Sequence, residues 1–96
     1  MTLDQSRRVR LPYRLDGSSA AAARAALHRA IDEAPGDVVV DMSDVEWIDV
    51  TGLGLLAAAH ERLHRRGDQL VLHHPSPGLR RTLAVTRLGR VLTVAA

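Results

Sequence analysis

Polar and apolar residues alternate near the start of the chain, in Arg8-Val9-Arg10-Leu11, and predict a half-buried strand ended by Pro12. An alanine-rich stretch follows. It places Ala20, Ala23, Leu27, Ile31 and Ala34 on one side at spacings of three and four, which predicts a helix with one buried face. Asp16, Ser18 or Ser19 each offers an oxygen to cap its first turn, and Pro35-Gly36 stops it. Val38-Val39-Val40 shows no alternation, the pattern of a strand covered on both faces. A second helix is expected over residues 51–66, with Leu53, Leu56, Ala59 and Leu63 inward and Gly67 supplying a left-handed end. Leu70-Val71-Leu72 reads as another buried strand. Ser76-Pro77 gives a cap followed by proline at the first helical position, with Leu79 and Leu83 inward. Val91-Leu92-Thr93-Val94 is expected to close the chain as a final strand.

Strand and helix therefore alternate, which predicts an α/β fold with right-handed crossovers. The expectation is one small domain over residues 1–96, with a four- to five-stranded, mostly parallel (mixed) sheet and packed helices. In such sheets function sits just beyond the carboxyl ends of the strands. That directs attention to residues 41–54.

Composition narrows the choice of function. The chain of 96 residues is long enough for one core and too short for two. It has no cysteine, which removes disulfides and thiolate metal sites. All 13 basic residues are arginine, interleaved with 11 carboxylates, and the only aromatic residues of the Phe, Trp and Tyr type are Tyr13 and Trp47. A nucleic-acid binder shows a stripe of one sign with stacking aromatics, so nucleic acid is not expected as a partner. Residues 1–10 hold no apolar leader segment, and no run approaches the ~18 apolar residues of a membrane span. No membrane insertion and a cytoplasmic location are expected.

Asp49-Val50-Thr51-Gly52-Leu53-Gly54 leads into the second helix. Two glycines here let a partner's backbone or a phosphate approach a helix N-terminus, where unpaired N–H groups and the positive dipole end project. A plainer reading is a tight turn in which Asp49 caps and the glycines let the helix pack near a strand. A nucleotide loop is excluded: the chain has no lysine, and the spacing G-x-G-x-x-G stops after its second glycine.

His60-Glu61-Arg62-Leu63-His64 matches H-E-x-x-H, the helix signature of zinc hydrolases. Two histidines at i and i+4 can share Zn²⁺, with Glu61 as general base for a bound water. Against this, Leu70 stands where the longer signature has its third ligand, Gly67 already ends the helix, and the chain leaves little room for a cleft. His73 and His74 close a strand and suit a half-exposed edge. No nucleophile elbow is present. No metal, no cofactor and no catalysis are therefore expected.

The segment Val38-Val39-Val40-Asp41-Met42-Ser43, followed by Ile48-Asp49-Val50-Thr51-Gly52-Leu53-Gly54-Leu55-Leu56, resembles the core of the STAS domains, the family named after sulfate transporters and anti-sigma factor antagonists. The resemblance continues through Arg65-Arg66-Gly67-Asp68-Gln69-Leu70-Val71-Leu72 and Ser76-Pro77-Gly78-Leu79-Arg80-Arg81-Thr82-Leu83, and covers residues 37–94. Upstream, Arg14-Leu15-Asp16 is similar to the family's G-E-L-D turn, with Tyr13 in place of the glycine. The resemblance implies a bacterial regulatory module that binds another protein. In stand-alone members the helix after the D-S-S-G-L-G motif docks on an anti-sigma factor, commonly also a serine kinase. That kinase phosphorylates the first serine and abolishes docking. By resemblance, the partner-binding residues are Asp16, Asp49, Val50, Thr51, Gly52, Leu53 and Gly54.

Val50 occupies the phosphoacceptor position and has no hydroxyl. Thr51 is the only hydroxyl left in the motif, and thus the one candidate phosphosite, although its displaced, β-branched side chain better suits a helix cap. The expected function is that of an anti-sigma factor antagonist without the usual serine switch. The alternative is a STAS subunit of another assembly, such as a signalling complex or a lipid ABC transporter.

Overall fold

The computed structural model describes residues 7–95, so the reading of a leader segment lies largely outside the described residues. Ten elements follow in order: β1 (Arg7–Arg10), β2 (Arg14–Leu15), α1 (Ala20–Glu33), β3 (Val38–Asp41), β4 (Trp47–Ile48), α2 (Val50–Arg65), β5 (Leu70–His73), α3 (Pro77–Val85), α4 (Leu88–Val91) and β6 (Thr93–Ala95).

The main sheet runs β1-β3-β5-β6, and every pairing in it is parallel. Parallel neighbours need crossovers, which α1, α2 and the α3–α4 pair supply. Its second strand, β3, is buried along its whole length, as its unbroken apolar run predicts. A separate two-stranded parallel ribbon joins β2 to β4. The two residues of each ribbon strand are too few to show a period.

α1 and α2 pack on each other, and the small side chains of Ala20, Ala23, Ala30 and Ala59 are buried among those of Leu27, Leu56 and Leu63. The core is wholly aliphatic among the described residues: Leu, Val, Ile, Ala and Met fill it. α2 ends as its glycine predicts. Gly67 adopts φ 86°, its N–H donates to the His64 carbonyl, and the Asp68 N–H donates to the Leu63 carbonyl. α3 begins with Ser76 Oγ accepting from the Leu79 N–H at 3.1 Å and Pro77 in the first turn.

Several boundaries differ from the sequence reading. α1 stops at Glu33, so Ala34 is its half-buried C-cap and Ala30 takes the inward place. Ser19 sits at the N-cap but makes no capping bond; its Oγ donates instead to the Arg14 carbonyl at 2.6 Å. In α2, Leu55 and Leu56 are buried and Leu53 only half-buried. Val91 is not in a strand. It ends α4, because Leu88 and Leu92, four apart, both turn toward the core and hold that segment helical. The histidine pair does not close a sheet edge either, since β5 lies between β3 and β6.

Candidate functional site

The carboxyl ends of β3 and β4 lead into the start of α2. Asp41, at the end of β3, is buried, and its Oδ1 accepts from the Ser43 hydroxyl at 2.7 Å and the Ser43 N–H at 3.0 Å. These two bonds, with Arg10 3.6 Å away, lower the Asp41 pKa from 3.8 to about 2. The turn so fixed carries the chain through buried Val45 to β4, where the Asp49 N–H reaches the Leu15 carbonyl at 3.3 Å.

Asp49 is the N-cap of α2. Its Oδ1 accepts from the Gly52 N–H at 3.1 Å, satisfying one of the donors that a helix start leaves open. Of the two caps the sequence offers, Asp49 therefore takes the position and Thr51 does not. It lies exposed in the first turn, and its hydroxyl has no partner among the described residues. Val50 opens the helix one residue earlier than expected, with 84% of its surface exposed.

The two glycines of the motif do different things. Gly52 is buried, and a Cβ there would stand 2.3 Å from the Leu15 carbonyl oxygen and 2.7 Å from Ile48 Cγ1. It lets α2 rest on the β2–β4 ribbon and offers no side chain to a partner. Gly54 has open space around it. Leu53 packs partly against the core.

Asp16 lies in the turn between β2 and α1, 3.1 Å from Arg14 Nε. The hydroxyl and N–H of Ser18 bind its carboxylate and, with Arg14, hold its pKa below the ordinary value. Its side chain is mostly turned in, so the turn is its first use.

Sequence reasoning missed the groove beside these residues. A cavity of about 180 Å³ opens between α1 and α2, lined by Arg24, Leu27, His28, Val50, Thr51 and Leu55 among others. Arg24 and His28, four apart on α1, have no partner among the described residues. Tyr13 and Trp47 are also surface residues, which no periodicity in the sequence signals. Both are more than half exposed, and they are neighbours: the Trp47 N–H donates to the Tyr13 carbonyl at 3.1 Å. Arg14 stacks over the Trp47 ring at 5.4 Å from its centroid.

The His60 and His64 rings stack, 5.5 Å apart, but no group of three or more His, Asp or Glu side chains able to hold a metal occurs among the described residues. No helix among the described residues is long and apolar enough to cross a membrane.

This architecture recurs in known proteins. An anti-sigma-factor antagonist (STAS) domain protein from Planctomyces limnophilus aligns at TM-score 0.77 and 22% identity, over 88% of this chain and 73% of that one. The phosphorylated form of the Bacillus cell fate determinant SpoIIAA aligns at 0.73 and 24%, over 100% and 87%. A sulfate transporter family protein from Wolinella succinogenes aligns at 0.67 and 27%, over 88% of this chain and 66% of that one. The first two likenesses establish a shared fold. A family model described as "Mlab, STAS domain" matches residues 2–94, nearly the whole chain, and the chain belongs to that STAS family.

Proposed function

We propose that this STAS domain is a non-catalytic, cytoplasmic regulatory module. It docks on an anti-sigma factor of the serine-kinase type through the start of α2 and the α1–α2 groove. One observation carries this reading: Val50, an apolar side chain, is 84% exposed at the first helical position. Covering such a side chain contributes about 1.5–3 kcal/mol. Asp49, Thr51, Leu53 and Gly54 would frame the contact, Asp16 would steady the adjoining turn, and Gly52 would hold the helix in place. The anti-sigma factor antagonists among the structural neighbours support the choice of partner class. With Val50 at the acceptor position, docking is not switched by phosphate there.

A second reading is a STAS subunit of a transport assembly, favoured by the 27% identity to the sulfate transporter family protein. Titration calorimetry with the anti-sigma factor encoded in the same genome, and separately with the cytosolic subunit of a transporter encoded beside this chain, distinguishes the two. Failure of both to bind sinks the docking proposal. Intact-mass measurement after incubation with the kinase and ATP should show no added phosphate, and phosphate on Thr51 would restore a switch.

A further inference from the structure

The last acidic side chain is Asp68; the residues after it include Arg80, Arg81, Arg87 and Arg90 and no Asp or Glu. The fold gathers these four arginines on α3, α4 and the turn between them. All four are exposed, and none of their guanidinium groups has a hydrogen-bond or ion-pair partner among the described residues. Of the other arginines, Arg10, Arg14, Arg62, Arg65 and Arg66 each face a carboxylate, whereas Arg8 on β1 and Arg24 and Arg29 on α1 have none among the described residues.

Apolar surface lies among these charges. Val85 is 85% exposed and Val91 46% exposed, and both belong to the same two helices. A cavity of about 170 Å³ opens where these helices meet β6, lined by Arg80, Leu83, Ala84, Gly89 and Val94. Its shape is fixed by a close approach, since a Cβ on Gly89 would stand 2.6 Å from the Leu83 carbonyl oxygen. No lining residue is shared with the α1–α2 groove.

We infer that the α3–α4 face is a second docking surface, built for an acidic amphipathic segment of a protein. One apolar side chain of that segment enters the cavity. Carboxylates on either side pair with Arg80, Arg87 and Arg90, whose planar forks match carboxylate geometry. Charge complementarity selects an anionic occupant, and the concave apolar socket selects a side chain over a flat lipid surface. Nucleic acid is disfavoured because α3 and α4 carry no Phe, Tyr or Trp to stack a base, and Trp47 lines a different cavity at the start of α3, with Ser76 and Gly78, instead of the one bordered by Arg80 and Gly89.

The test uses a synthetic amphipathic peptide of leucine and glutamate, titrated into the isotopically labelled full chain and followed by amide chemical shifts. Saturable shifts confined to α3, α4 and β6 are expected, weakening as salt is raised. The double substitution Arg87→Glu with Arg90→Glu should weaken binding about tenfold or more, while Arg29→Glu, an exposed position on α1, leaves it unchanged. If the double variant does not fold, Arg90→Gln alone should give a smaller loss in the same direction. Absence of shifts on this face, or equal affinity in the charge variants, overturns the inference. So does tighter binding there of phosphatidylglycerol vesicles or an oligothymidine than of the peptide.

Discussion

The guanidinium of Arg66, just past the end of α2, donates to the carbonyl of Ile31 in α1 at 2.7 Å. The same group reaches the carbonyls of Ala34 and Gly36 at 3.1 and 3.2 Å and the carboxylate of Asp68 at 2.7 Å. Helix ends leave carbonyls without intrahelical partners, and one cation here serves those at the end of α1. Asp68 in turn accepts from the Gly36 N–H at 3.0 Å, tying the α1–β3 turn to the α2–β5 turn. Both helices of the α1–α2 groove are thus locked at the end remote from its lining residues Val50 and Thr51.

Arg66→Ala should therefore cost about 1.5–3 kcal/mol, the range for charge-assisted hydrogen bonds. Arg66→Lys should recover only part of it, because an ammonium cannot reach three carbonyls and a carboxylate in one plane. Urea unfolding at pH 7 measures both. Partner affinity of the folded fraction should not change.

The glycines of the motif make an opposed pair. Gly52→Ala drives a methyl group against the Leu15 carbonyl, a backbone atom that cannot swing away, and should destabilise by about 1–3 kcal/mol or more. Gly54→Ala meets nothing and replaces a poor helix former by the best, so it should stabilise by about 0.8–1 kcal/mol. Thermal unfolding of the two variants should shift in opposite directions.

Asp41 gives a pH signature. Its pKa is lowered from 3.8 to about 2 by the Ser43 hydroxyl and N–H, then by Arg10. A carboxyl depressed in the folded state stabilises fully above its unfolded value and loses that contribution as pH falls through the folded one. Stability from this group should hold above about pH 4 and decline toward about pH 2. Asp41→Asn should flatten the stability curve in that window while leaving the slope due to Asp16, which is shifted the same way.

Val50→Asp separates folding from docking. A carboxylate at the start of α2 gains roughly 0.3–1 kcal/mol from the helix dipole, and Asp49 next to it opposes this. With the side chain 84% exposed, the thermal midpoint should barely move. At a partner interface the same carboxylate, desolvated without a counter-charge, costs about 2–5 kcal/mol, or roughly 30- to several-thousand-fold in affinity. Leu55→Asp, placed in the core at 5% exposure, should instead unfold the domain. Calorimetry for affinity and circular dichroism for melting read the two effects apart.

Much of the fold was legible because long apolar periods have one solution. Val38-Val39-Val40, the Ala20-to-Ile31 face and the Ser76-Pro77 start all stand as their patterns predict. Where two patterns compete, the sequence misleads: Val91-Leu92-Thr93-Val94 looks like a strand, yet the Leu88–Leu92 spacing keeps Val91 helical. The two residues of each ribbon strand carry no period at all. The motif drew attention to the start of α2, but nothing local says that Gly52 is packed and Gly54 free, which depends on where β2 lies. Arg24 and His28 were invisible for the same reason, since they border the groove only once α1 is set against α2.

A core without an aromatic ring among the described residues has a spectroscopic consequence. Indole emission from this protein comes from a single ring, Trp47, half in water beside Arg14 and three residues before Val50. Unfolding will move that emission little, because the fluorophore is already wet. A partner whose footprint extends from the start of α2 to β4 would shift it to the blue, so the native chain would then report its own occupancy without a label.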